Sequence, residues 1–141
     1  MLRFVLALFL SGAALAAENG LSRVHVPPMK TAIYIGSVTL GTGEFRREGE
    51  RFTATYEAKV FPWFFWSETG RITITVAAAD WERLARGETI EFTGDALNHR
   101  NKPRKVAGRA LPGDALSGRI KVRIHVDDVE LIFNGPYRLA P

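Results

Sequence analysis

A chain of 141 residues with 19 basic and 15 acidic side chains and no cysteine is long enough for one ordinary domain of roughly 100–150 residues. The lack of cysteine excludes disulfides, thiolate metal sites, a cysteine nucleophile and lipid attachment through an N-terminal cysteine. A domain of this kind has to rely on its apolar core.

The chain opens on MLRFVLALFLSGAALAAENG. Arg3 supplies a positive start, Phe4 to Leu10 an uninterrupted apolar run, and Ala14-Leu15-Ala16 or Leu15-Ala16-Ala17 a small-residue cleavage site. Residues 1–16 read as a secretory signal peptide, cut near Ala16 or Ala17. The apolar run is well short of the roughly 20 residues that a spanning helix needs, and no second run of that length follows. The mature chain is expected to be exported, periplasmic or secreted, with no transmembrane segment. Residues 17–30, polar and ending in Pro27-Pro28, read as a lead-in. Residues 31–141 read as a single β-rich domain.

From Thr31 the pattern turns to period two, the mark of half-buried strands. Ala32 to Leu40 is a first candidate, with Gly36 as a bulge position. Gly49 marks a turn between Arg46 and Arg51. Phe52, Ala54, Tyr56, Ala58 and Val60 then alternate with polar residues, as do Ile72, Ile74, Val76 and Ala78. Between Asp80 and Arg86 a short helix is predicted. Asp80 is placed to cap it, Trp81, Leu84 and Ala85 share one face, and Gly87 stops it. Glu88 to Leu97 and Arg104 to Ala110 are weaker strands. Ile120, Val122, Ile124 and Val126 form a strong one, and Asp127-Asp128 suits a tight hairpin into Val129 to Leu139. About seven strands and one helix predict an all-β, mostly antiparallel fold, a single-domain sandwich or small barrel.

Two stretches stand apart from this pattern. In VFPWFFWSETG, Phe61, Trp63, Phe64, Phe65 and Trp66 follow one another with only Pro62 between them. An alternating strand would point these rings to both faces, and a sheet with one wet face cannot hide both sets. Pro62 also argues against a central strand. The run is therefore an edge, a loop or a wide connection. Its rings either fold back as a plug over an open end of the fold or bind something. A hydrophobic or amphipathic ligand, a membrane interface and a protein or sugar partner are all open.

The second stretch is basic. Arg100, Lys102, Arg104, Lys105, Arg109, Arg119, Lys121 and Arg123 lie between His99 and Arg123, with Asp114 the only acid. Export points away from nucleic acid and toward anionic lipid headgroups or acidic envelope polymers. The alternative is a solvated face paired with acids of neighbouring strands. Within NHRNKPR, Arg100 and Arg104 suit a headgroup clamp through paired N–H groups, with Lys102 or Lys105 as a point charge. The plainer reading is a polar hairpin loop.

Chemistry is harder to find. The three histidines, His25, His99 and His125, lack metal-motif spacing. No nucleophile elbow or phosphate loop is present, and Glu44, Glu48 and Glu50 sit in a charged turn. No catalytic residue, metal or cofactor is assigned.

TGDALNHRNKPRKV, Thr93 to Val106, resembles a stretch of YceI-like periplasmic lipid-binding proteins, in which a TGD-type strand runs through a loop into a Pro-containing strand. The resemblance covers these fourteen residues. It implies an extended lipocalin-like barrel that holds a polyisoprenoid or other long apolar chain in its lumen, and it assigns no ligand residue here.

The leading expectation is an exported, non-enzymatic protein that binds an amphipathic or anionic cell-envelope component, such as a lipid. The rings would take its apolar part and the Arg/Lys segment its head. The alternative is an envelope interaction or assembly protein with an exposed aromatic surface; an unrecognised hydrolase comes third. A ligand binder predicts an internal apolar cavity reached past Trp63 to Trp66. A partner protein predicts exposed rings over a filled interior.

Overall fold

The computed structural model describes residues 21–141. The expected signal peptide and cleavage site lie outside the described residues. Ten strands and one α-helix follow in order: β1 (Arg23–His25), β2 (Met29–Ile33), β3 (Gly36–Thr42), β4 (Phe45–Glu48), β5 (Arg51–Phe61), β6 (Glu68–Thr75), α1 (Ala78–Ala85), β7 (Ile90–Asn98), β8 (Pro103–Pro112), β9 (Ser117–Val126) and β10 (Val129–Ala140).

All pairings are antiparallel, and eight strands close into a barrel in the order β5-β4-β1-β10-β9-β8-β7-β6 and back to β5. Of the sandwich and the small barrel that the alternation allowed, the architecture is therefore the barrel. Along one edge of β5, β4 pairs with Arg51–Thr53 and β3 with Tyr56–Phe61; β2 adds to β3. β1 and β2 are thus one course interrupted at Pro27-Pro28, and β3 and β4 another interrupted at Gly43-Glu44. Proline has no N–H for a ladder. Past the prolines β2 lies beside β10 without a ladder to it; a Cβ at Gly135 would come within 2.7 Å of Met29 Cγ.

Two sequence expectations change here. The segment 17–30 was expected to be a lead-in, but from Arg23 onward it is part of the barrel, with Val26 and Met29 buried in the core. Gly36 is not a bulge. It follows the two-residue turn Tyr34-Ile35, and a Cβ at Gly36 would collide with the Phe61 carbonyl. Glycine is therefore the residue that lets this hairpin approach β5.

Most of the period-two residues point inward as their pattern requires; Ala78 does not, because β6 ends at Thr75 and Ala78 is the exposed first residue of α1. Phe52, Ala54, Tyr56 and Val60 on β5 are buried, as are Val122 and Ile124 on β9, and Phe133 at 1% exposure is the most enclosed of the core side chains. Turn chemistry fits as well. Gly49 and Gly87 carry positive φ, and Asp127, in the β9–β10 hairpin, has φ 54°.

An up-and-down order puts successive connections at alternate ends. At one end lie the β4–β5 turn, α1 and the β8–β9 turn. α1 seals this end: Leu84 is buried, Trp81 packs its ring 5.4 Å from Phe52, and the Arg47 guanidinium lies 5.5 Å from the Trp81 ring centre. Asp80 does not cap the helix. Ala77 occupies that position, and Asp80 lies in the first turn, 3.4 Å from Arg83. Of the expected apolar face, Trp81 and Leu84 pack while Ala85 stays exposed.

Candidate functional site

The other end of the barrel gathers the β2–β3, β5–β6, β7–β8 and β9–β10 connections; the aromatic run and the NHRNKPR part of the basic stretch are here, while the rest of the basic stretch runs along β8, the β8–β9 turn and β9. β5 pairs with β3 up to Phe61, opposite Ser37. Beyond it Pro62 leads into a single 3-10 turn, Phe64–Trp66. That turn is held by Trp66 N–H to Trp63 O at 3.0 Å and Ser67 N–H to Phe64 O at 3.0 Å. The Ser67 hydroxyl closes the loop by accepting the Val60 N–H at 3.0 Å.

The rings brace one another. Phe65 and Trp66 meet edge to face at 5.3 Å, Trp63 stands 5.8 Å from Trp66, and Phe61 meets Phe64 at 5.8 Å. Such contacts fix the loop but do not bury it. Trp63 alone turns partly into the core, with its indole N–H buried and without an acceptor among the described residues. Phe61, Phe64, Phe65 and Trp66 remain 57–65% exposed. The loop is therefore not the plug that one reading of the sequence allowed.

Tyr34, Ile35, Leu97 and Val129 extend the apolar surface. Among the described residues, ten large hydrophobic side chains are exposed, and all but Leu111 and Leu116 belong to this end. Patches of this kind mark binding surfaces, whereas apolar residues exposed singly do not.

The four cations proposed for a headgroup clamp are not brought together. Arg100 and Lys102 stand exposed on the β7–β8 loop, with no carboxylate in ion-pair range among the described residues. Asn98 shapes that loop: its side-chain oxygen accepts the N–H groups of Arg100 and Lys102, each at 2.9 Å. The His99 N–H donates to Thr69 O at 2.8 Å, which ties the loop to the strand leaving the aromatic run. Lys105 points out of the barrel wall, opposite Asp95 and His125. Arg104 points inward and is already engaged. Its Nη2 lies 2.9 Å from Glu68 Oε1, its Nε 3.4 Å from Glu68 Oε2, and its Nη1 3.5 Å from Asp127 Oδ1. The paired Arg100–Arg104 clamp is thus replaced by an internal fork, because alternation along β8 sends Arg104 and Val106 to the same, inner face.

Glu68 also accepts the Tyr56 hydroxyl at 2.5 Å and the Asn98 side-chain N–H at 3.4 Å. Burial pushes its carboxyl pKa up, but the hydrogen bonds from Arg104 and Tyr56 and the Arg104 charge outweigh this and hold it below the ordinary value. Burial, then the Glu68 hydrogen bond, raises the Tyr56 phenol well above its ordinary range. The Glu68 hydrogen bond raises Arg104 against an opposing effect of burial. At neutral pH the group is a carboxylate, a guanidinium and a neutral phenol.

This network lies between two spaces. Outward is a cleft of about 660 Å³ bordered by Tyr34, Trp66, Arg100, Lys102 and Val129. Inward is a pocket of about 70 Å³ against Tyr56, Ala96 and Phe133. Trp66, Glu68 and Arg104 line both. Nearer α1 a further void of about 100 Å³ is walled by apolar side chains such as Phe45, Phe52 and Ile90. The Thr42 hydroxyl beside it is buried without a partner among the described residues. Sites for drug-sized ligands run to roughly 300–1,000 Å³, so the cleft has that capacity and the interior spaces do not.

Among the described residues no three His, Cys, Asp or Glu side chains are grouped to hold a metal. No described helix is long and apolar enough to cross a membrane. Compared with protein-family models, curated proteins and solved structures, the chain matches none.

The Tyr56–Glu68–Arg104 group was missed in the sequence because Glu68 directly follows the aromatic run and was not read as part of the strand through Ile72. The signal was present: the inward parity of Ile72 and Ile74, carried back two steps, reaches Glu68. Tyr34 and Ile35 were missed because a strand was drawn through their turn.

Proposed function

We propose that this is an exported, non-enzymatic protein of the cell envelope that binds an amphipathic, anionic component such as a lipid at the open end of its barrel. The observation that carries this reading is the partition of surface chemistry. Eight exposed large hydrophobics, with Arg100 and Lys102 free beside them, stand at one end while a helix stops the other. The rings would hold an apolar chain in the cleft, and Arg100 and Lys102 would meet its head by charge-assisted hydrogen bonds. Export rests on Arg3 and the apolar run after it, and the YceI-like stretch Thr93 to Val106 is in keeping with a lipid.

Native mass spectrometry of protein purified from its own envelope without detergent tests the proposal. Extra mass that organic solvent removes is expected, and Phe64→Ser with Phe65→Ser should abolish it. A clean apo mass for a folded monomer would count against a tightly carried ligand. A second reading, an envelope assembly protein that uses the same rings, is favoured by the small interior spaces of about 100 and 70 Å³. Crosslinking to a defined partner, lost in the same variant, would support it.

A further inference from the structure

We infer that the open end docks on the surface of an anionic lipid bilayer, with three of its loops entering the headgroup layer. This rests on the reading of that end as the binding end and adds the surface on which it works. The first argument is continuity. The Tyr34-Ile35 turn lies against Phe61 through Gly36, and Phe61 leads into Phe64, Phe65 and Trp66. The β7–β8 loop with Arg100 and Lys102 is tied to the far side of the aromatic run at Thr69. The result is one apolar arc ending in two cations.

The second argument is depth. Lys59, in an exposed ion pair with Glu57 at 3.8 Å, precedes Phe61 by two residues on β5, and Lys30 is level with it through Thr39. At about 3.4 Å per residue these cations sit roughly 7 Å behind the Phe61 level. Interfacial apolar faces enter the headgroup–acyl boundary by roughly 5–10 Å, so Lys30 and Lys59 would reach the phosphates when the rings are immersed. Trp66 and Tyr34 are residue types favoured at that level.

The third argument is direction. Asp127 and Asp128 form the β9–β10 hairpin, on the far side of the barrel mouth from the Phe64–Trp66 turn; Asp127 borders the cleft together with Arg100 and is turned to Arg104 at 3.5 Å. The molecule therefore docks tilted, with the arc in the headgroups and the acidic hairpin in water. A second copy of the chain would set this cationic rim against itself. An anionic bilayer complements it.

The test is co-sedimentation of the protein with vesicles of phosphatidylcholine alone and of phosphatidylcholine with phosphatidylglycerol. Every variant keeps the same N-terminus, so Phe4 to Leu10 contributes equally to all. Binding to the anionic vesicles with a Trp fluorescence blue shift is expected. Phe64→Ser with Phe65→Ser should weaken it by roughly tenfold or more, and Tyr34→Ser with Ile35→Ser, on a different loop, should weaken it too. Each of Arg100→Ala and Lys102→Ala should cost roughly fivefold, while Leu111→Ser with Leu116→Ser at the sealed end should change nothing. Equal binding to both vesicle types, or equal binding by both ring variants and the parent, overturns the proposal. No vesicle binding by protein that carries extractable lipid in the mass spectrometer overturns docking and leaves the ligand reading standing. If neither is seen, both fall. A dimer that the ring variants dissociate, without vesicle binding, replaces the bilayer by a second copy.

Discussion

The two ends of the barrel meet the same problem in opposite ways. An up-and-down barrel leaves an opening at each end, through which water could reach the core. At the α1 end the chain inserts eight residues of helix, buries Leu84 and packs Trp81 on Phe52. At the other end there is more aromatic surface, yet the rings of the aromatic run brace one another edge to face and all but Trp63 face outward. Closure there comes from Tyr56, Glu68, Arg104 and Asn98, which fill the throat with hydrogen bonds. An apolar plug stabilises by removing area from water, whereas a polar one leaves the loop's rings available.

The sharpest test of this contrast removes one half of the polar plug. Arg104→Ala leaves the Glu68 carboxylate buried without its fork and is expected to cost about 3–5 kcal/mol in urea unfolding. Replacing both partners, Glu68→Leu with Arg104→Met, should cost far less. A double variant as unstable as the single one would show that the throat needs its charges.

Next in size, Leu84→Ala at the helical plug should lose about 2–3 kcal/mol, toward the lower part of the usual range because the end can partly collapse. A loss below about 0.5 kcal/mol, the size of ordinary surface substitutions, would mean that α1 does not seal the barrel.

Acid sharpens the comparison differently. The Glu68 pKa is lowered in the folded protein, so its contribution is complete above the unfolded value, about 4.3, and is lost as pH falls through the folded value. The parent should lose stability through this range more steeply than Glu68→Gln. Identical acid slopes would remove the carboxylate from the account.

The smallest expected effect is at the rings. Phe64→Ser should alter stability by no more than about 0.5 kcal/mol, because Phe64 is 64% exposed. A loss of 2 kcal/mol or more, on the scale of core truncations, would show that the loop does cover the core.

Much of the barrel was legible along the chain. Phe52 to Val60 and Ile120 to Val126 state which side of each strand is wet, because successive side chains leave a strand on opposite faces. Asp127-Asp128, Gly49 and Gly87 announced their turns by the conformations they tolerate. The site was legible only in pieces. The aromatic run could be recognised as something other than a central strand, but not as exposed, since a ring that folds back and one that faces out have the same local sequence. The clamp failed at Arg104, where a loop reading of NHRNKPR overrode the alternation that sends that side chain inside.

By itself, then, the sequence determined most of the strands from Phe52 onward, their inner faces, the short helix and the two stretches that do not fit. Those are properties of neighbours in the chain, set by side-chain period and backbone preference. Only the tertiary structure decided that Arg23 to His25 joins the barrel, that Arg104 meets Glu68 across 36 positions, and which end is sealed. Ring closure brings together segments whose local patterns are silent about one another, and it alone places the aromatic run beside Arg100 and Lys102 on one rim.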